Sequence, residues 1–302
     1  MPQRETSPRA VLGIDAAWTE TQPSGVALVE ETAQGWRLVA VETSYARFHA
    51  LAGGPEAVRP VGSRPVAKNL IETCERLTGR PPDVVAIDMP LSLEPIVKRR
   101  CSDLAVSRAY GAKKCGTHSP SPERPGKISD ALRKDFAACG YRLRTASYPS
   151  APHLDTPALI EVYPHPALVE LTGAPERLRY KISRANKFWP RPVTPTERRK
   201  NLVQAWTEIG AALEQQIEGV TARLPVVKET ASGLDLKAHE DALDAVVCAW
   251  VGVCALEGSA EAFGDTSSAI WIPARDRKWP SRRAGSPAPL DDRSAPLPSH
   301  RP

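Results

Sequence analysis

The chain has 302 residues, 41% of them hydrophobic, and a formal net charge of +5, enough apolar material for one substantial core with polar tails. No window reaches the roughly eighteen uninterrupted apolar residues of a membrane span, and the polar first nine residues lack the apolar stretch of a secretory signal, so a cytoplasmic protein without a membrane partner is expected. The six cysteines (Cys74, Cys101, Cys115, Cys139, Cys248 and Cys254) form no C-x-x-C pair, which argues against a zinc ribbon and against a disulfide-stapled secreted domain.

Residues 1–9 are expected to be disordered. Three strands follow: residues 10–15, a short apolar run; 24–30, carrying Val26, Leu28 and Val29; and 35–43, alternating through Trp36, Leu38 and Val41. Their connections are too short for parallel crossovers, so an antiparallel meander is predicted. Residues 65–78 read as a helical stretch with apolar residues at Val66, Leu70, Ile71, Cys74 and Leu77. A strand is expected at 83–88, then helical segments within 98–110 and 128–139, with a loop at 111–127 between them. A proline-rich loop at 147–157 leads to a strand at 158–163. Residues 196–217 read as a long amphipathic helix with Leu202, Val203, Trp206, Ile209, Leu213 and Ile217 on one face. Residues 240–256 read as an almost wholly apolar helix and 269–272 as the last strand. The tail 275–302, rich in Pro, Ser and Arg, cannot repay the entropy of ordering and is expected to be disordered. A meander continued by strand–helix alternation predicts a mixed α/β sheet with helices on both faces.

Acidic residues sit where apolar segments turn polar. Asp15 ends the first strand, Asp88 ends the fourth, and Asp241 and Asp244 open the apolar helix. A carboxylate at the tip of a buried strand is desolvated and persists only where opposite charge meets it; several converging on one point suit a divalent cation. Asp241 and Asp244, three residues apart, project from one helix face about 4.5 Å apart along the axis. Plainer roles exist for each: favouring the positive end of the helix dipole for Glu240, Asp241 and Asp244, and starting turns for Asp15 and Asp88. Glu161, inside an apolar strand, is either a further ligand or the partner of a buried arginine such as Arg100. His165, in Tyr163-Pro164-His165-Pro166, either orients a substrate or a water or is structural. His118 and His239 give weaker signals.

The positive charge is unevenly spread. Residues 98–127 hold eight basic side chains against Asp103 and Glu123, and residues 177–200 hold nine against Glu197, with Tyr180, Phe188 and Trp189 interleaved. Such segments suit a polyanion, whose counterions the cations release and whose unpaired bases stack on aromatic faces; they also suit a solvated surface.

Taken together, Gly13-Ile14-Asp15, Ala86-Ile87-Asp88-Met89-Pro90-Leu91, Arg100-Cys101-Ser102-Asp103, Glu161-Val162-Tyr163-Pro164-His165-Pro166, Tyr180-Lys181 and Asp241-Ala242-Leu243-Asp244-Ala245 resemble the predicted RNase H-like nuclease family catalogued as domain of unknown function 429. The resemblance covers residues 10–274 and implies a ribonuclease H-like domain there. The wider superfamily, which includes RuvC-type junction resolvases, is known for a first-strand aspartate, an acidic residue ending the fourth strand and acidic residues on a late helix. The resemblance carries these roles to Asp15, Asp88 and the Asp241 and Asp244 pair; Glu161 belongs to the narrower family's pattern. It implies a divalent-metal-dependent nuclease acting on DNA or RNA, with one or two Mg²⁺ or Mn²⁺ ions and Asp15 bridging. Lys98, Arg99, Arg100, Lys113, Lys114, Lys181 and Arg184 would then contact the phosphate backbone. Hard oxygen ligands without a His or Cys cluster suit Mg²⁺. Ala16-Ala17-Trp18 follows Asp15 where many superfamily members have a glycine, so Trp18 crowds the site. Two other functions share these features: a phosphotransferase of the actin and sugar-kinase type, with Ser24-Gly25 opening a phosphate loop, and a non-catalytic nucleic-acid-binding module. No obligate protein partner is evident.

Overall fold

The apolar runs at the start of the chain become β1 (Ala10–Asp15), β2 (Gly25–Thr32) and β3 (Gly35–Glu42) in the computed structural model, which describes residues 8–146 and 154–274. The tails expected to be disordered, apart from residues 8 and 9, and the loop segment 147–153 lie outside the described residues. β1 pairs with β2 and β2 with β3, both antiparallel, as the short connections require. The chain continues through α1 (Tyr45–Ala50), α2 (Ala67–Thr78), β4 (Val84–Asp88), α3 (Cys101–Tyr110), α4 (Lys127–Ala138), β5 (Arg142–Leu143), β6 (Ala158–Val162) and α5 (Pro164–Thr172). It ends with α6 (Ala185–Phe188), α7 (Pro195–Glu214), β7 (Ile217–Glu218), α8 (Val220–Arg223), α9 (Gly233–Leu256), β8 (Ala260–Gly264) and β9 (Ala269–Pro273).

One mixed sheet runs β7-β3-β2-β1-β4-β6-β9-β8, with β5 on the start of β6. β1, β4, β6 and β9 are parallel neighbours. Alternation along the strands feeds two cores. Val11, Val29, Val84 and Ala86 face α9, α7 and α5, while Leu12, Ile14, Leu28, Val85 and Ile87 face α1, α2 and α4. Sheet strands apolar on both sides are what a helix-covered sheet requires.

α9 lies directly on the centre of the sheet, and two glycines permit the approach. A Cβ at Gly13 would fall 2.2 Å from the Ala245 carbonyl oxygen, and one at Gly25 would fall 2.0 Å from that of Asp241. Gly25 therefore brings the backbone of Asp241 onto the first residue of β2, whose register partner is Asp15.

Several boundaries differ from the sequence expectation. α9 starts at Gly233, where the Ser232 hydroxyl accepts from the Asp235 amide, so Asp241 and Asp244 sit more than two turns inside the helix. The dipole effect fades within the first turn, which removes that explanation for the pair. α7 stops at Glu214, and Ile217 belongs instead to β7, paired with Trp36 of β3. α5 begins within the motif read as Tyr163-Pro164-His165-Pro166, because Pro164 fits the first turn of a helix, where no amide donor is needed.

Candidate active site

The parallel register sets Asp15 directly beside Asp88 at the carboxyl edge of β1 and β4, the edge where sites form on parallel sheets. α9 adds Glu240, Asp241 and Asp244, all buried. Two lysines enter the cluster. Lys181, from the segment after α5, bonds Oδ2 of Asp244 and lies 3.4 Å from Oε1 of Glu240. Lys237, one turn before Asp241 on α9, bonds Oδ1 of Asp241 and lies 3.1 Å from Oε1 of Glu240. The Tyr180 hydroxyl donates to Oδ1 of Asp244 at 2.8 Å, and the Ile182 amide donates to Oε2 of Glu240 at 2.6 Å. Both oxygens of Asp244 and both of Glu240 are thus occupied by side chains or backbone.

Five carboxyl groups against two ammonium groups leave the cluster short of positive charge. Burial, and then the charge of the neighbouring Asp241, push Asp15 up to about 7. Asp88 is raised well above the ordinary carboxylate range by burial and then by Asp15. Burial takes Asp244 up to about 6 although Lys181 pulls it back. Glu240 goes the other way: against its burial, Lys181 and Lys237 hold it below the ordinary range.

Glu161 resolves onto the arginine. Arg100 donates from Nη1 and Nη2 to the two oxygens of Glu161 at 2.6 and 2.7 Å, from Nε and Nη2 to Asp103 at 3.0 and 2.9 Å, and from Nη1 to the Leu91 carbonyl at 2.7 Å. All five guanidinium donors are consumed, so Arg100 has none left for a phosphate. Burial pushes Glu161 up to about 7, while Arg100 and the Leu91 amide, donating at 2.7 Å, favour its charged form. The bidentate geometry belongs to a carboxylate, and we treat Glu161 as ionised.

These groups open on a cleft of about 1370 Å³. Asp15, Asp88 and Asp241 line it, and so do Arg124, Arg177 and Arg184. Trp18 stands at the same cleft with the Arg124 guanidinium 5.5 Å from its ring centroid. Of the basic residues expected at phosphate, Lys181, Arg184 and Arg100 reach the cleft. Lys98, Arg99, Lys113 and Lys114 are not among its lining: Arg99 bonds Thr117 at 3.2 Å, Lys113 pairs with Glu170 at 2.9 Å, and Lys114 pairs with Glu176. Arg124 and Arg177 fall within the two basic segments, but nothing in the sequence singles them out from their neighbours.

His165 is buried between the rings of Tyr163 and Tyr180, at 5.2 and 5.5 Å, and lines the cleft. Burial, then Arg177 and Lys181, hold it well below the ordinary histidine range. His239 bonds the Pro225 carbonyl at 2.8 Å and packs on Trp206, a structural position. Among the described residues no group of three or more His, Cys, Asp or Glu is arranged to hold a metal ion; Lys181 and Lys237 stand against the α9 carboxylates.

No helix among the described residues is long and apolar enough to cross a membrane. No curated protein and no solved structure matches the chain. Residues 13–268 match the family described as "Protein of unknown function (DUF429)", and since this span covers most of the 302 residues, the chain belongs to that family.

Proposed function

We propose that the protein hydrolyses phosphodiester bonds of nucleic acid with Mg²⁺ or Mn²⁺ held by Asp15, Asp88 and Asp241. One observation carries this reading: Asp15 and Asp88 stand in register on a cleft, each raised by burial and by a neighbouring carboxylate, and neither forms an ion pair among the described residues. Desolvated like charges side by side are stabilised by a hard cation. The order of the acidic residues along the chain resembles that of RNase H-like nucleases and supports the same reading.

The donors fit such an ion in chemistry, being oxygens alone. In place, the fit would require Lys237 to leave Asp241, since no metal-holding group is arranged among the described residues. Its side chain is 47% exposed and pairs with Asp241 and Glu240, whereas that of Lys181 is 17% exposed and pairs with Asp244 and Glu240. When bound, the ion supplies a water of lowered pKa and stabilises the departing oxygen. Asp244, bonded by Tyr180 and Lys181, fixes the ammonium of Lys181, whose charge acts on both strand-edge aspartates and limits their repulsion. Arg184 and Arg177 bring positive charge to the same cleft, where a polyanion would be held.

Two features favour this over a phosphotransferase of the actin and sugar-kinase type. The cleft exceeds the roughly 300–1,000 Å³ usual for small-molecule sites, which suits an oligomeric substrate better than a small phosphoryl acceptor. Ser24 and Gly25, which could have begun a kinase phosphate loop, have packing roles: the Ser24 hydroxyl accepts from the Ala17 amide at 3.0 Å, and Gly25 meets α9.

The test incubates labelled single-stranded, duplex and junction substrates with Mg²⁺ or Mn²⁺. Asp15→Asn and Asp88→Asn are each expected to lower cleavage by roughly 10³-fold, the scale on which losing an electrostatic stabiliser acts. Cleavage that survives both substitutions overturns the assignment, and binding without cleavage identifies a binding module.

A further inference from the structure

We infer that the part of the cleft lined by Arg124, Arg177 and Arg184 is an anion site for a terminal phosphate, a phosphomonoester rather than a backbone diester. Its extension to nucleic acid ends rests on the proposed function; the anion site itself does not.

Three guanidiniums meet there. Arg124 comes from the loop before α4, Arg177 from the segment after α5 and Arg184 from the turn before α6. None of the three is paired with a carboxylate among the described residues, although the protein pairs Arg9, Arg37, Arg47, Arg100 and Arg133 with carboxylates elsewhere. The Nε of Arg177 is buried without a hydrogen-bond partner, and so is Nδ1 of His165. Buried donors and acceptors in native proteins are ordinarily satisfied, and exceptions mark a ligand, a water or a functional group.

The cations gather instead of spreading. Arg124, Arg177, Arg184 and His118 line one cleft, and burial, then the charges of Arg184, Arg177 and Arg124, hold that imidazole below the ordinary histidine range. Arg177 and Arg184 also act on His165. A groove that tracks a strand spaces its cations along the backbone, with stacking surfaces between them. Three guanidiniums lining one cleft match a group with close to two negative charges and three acceptor oxygens, which a phosphomonoester has at neutral pH and a diester lacks. Trp18 lines the same cleft, an aromatic ring of the kind on which the terminal base of a strand stacks.

The site is read without metal. In EDTA, calorimetry with inorganic phosphate is run beside fluorescence anisotropy with one oligonucleotide bearing a 5′-phosphate, a 3′-phosphate or hydroxyl ends only. Phosphate is expected to bind, and one phosphorylated end is expected to bind roughly tenfold tighter than the hydroxyl form, the least that a charge-assisted contact confers. Arg177→Ala and Arg124→Ala should each remove that preference. Arg124 is exposed on a loop, so its variant keeps the test valid if the other does not fold. Phosphate binding without oligonucleotide binding upholds the anion site and overturns the nucleic-acid reading. Silence with phosphate and equal affinity for all three ends overturns the site while leaving the nuclease reading intact. A preference that survives both substitutions also overturns it.

Discussion

Two buried carboxylate groups lie at the same edge of the sheet, and their charge balance separates them. Around Arg100, two carboxylates share one guanidinium and every donor finds an acceptor. Around Asp15, five carboxyl groups share two ammonium groups, and the two on the strand tips have no ion pair among the described residues. Burial alone therefore does not mark a reactive acid. A shortage of countercharge does, because a structural ion network is complete without a ligand and a binding site is not.

The largest expected effect breaks the balanced group. Arg100→Ala leaves Glu161 and Asp103 buried without their cation, and removing one partner of a buried pair costs about 3–5 kcal/mol. Urea denaturation should show that loss. Arg100→Lys should recover only part of it, since an ammonium cannot reproduce the two-pronged contact with Glu161. A stability within error of the parent protein would show that the network is more hydrated than its geometry suggests.

The next effect comes from the unbalanced group and has a definite sign. Asp15 is raised from 3.8 to about 7 and Asp244 from 3.8 to about 6, so the folded state holds protons that the unfolded chain has released. Their contribution to stability is complete below about pH 4 and is lost as pH climbs toward about 7. Without divalent ions, thermal stability should therefore decline across that window. Saturating Mn²⁺ should restore it at neutral pH by binding the folded state, and Asp15→Asn with Asp88→Asn should flatten the decline. A rise in stability over the same window would contradict the charge deficit.

The two groups were unequally legible in the sequence. Asp15 and Asp88 stood out because each closes an apolar run bounded by polar residues; the parallel pairing of β1 with β4 that sets them side by side leaves no local signal. The choice at Glu161, ligand or arginine partner, is settled only by the fold, because the distance from Arg100 to residue 161 in space is not encoded in local pattern. The start of α9 was hidden by its polar first two turns, residues 233–240, which carry no apolar periodicity of their own and are ordered by capping at Ser232 and by the sheet beneath. Lys181 was assigned to phosphate by charge; its bond to Asp244 arises from two segments 63 residues apart. The short strands β5 and β7, two residues each, are held by neighbours and leave no periodic signal.

The smallest expected effect sharpens the contrast between charge counted along the chain and charge placed in space. Lys98 and Lys114 contribute to a basic segment, yet neither lines the cleft, and the Lys114 side chain is 69% exposed. An exposed ion pair contributes little because water screens it and two long side chains must be ordered to form it. Lys98→Ala and Lys114→Ala are expected to shift the melting temperature by less than about 2 °C. They should also leave phosphate binding in EDTA unchanged, whereas Arg124→Ala, which removes the same single charge from the same segment, abolishes it. A loss of phosphate affinity on removing Lys98 or Lys114 that equals the loss on removing Arg124 would mean that the diffuse field of the whole basic segment attracts the anion, and the three guanidiniums of the cleft would then have no special claim to it.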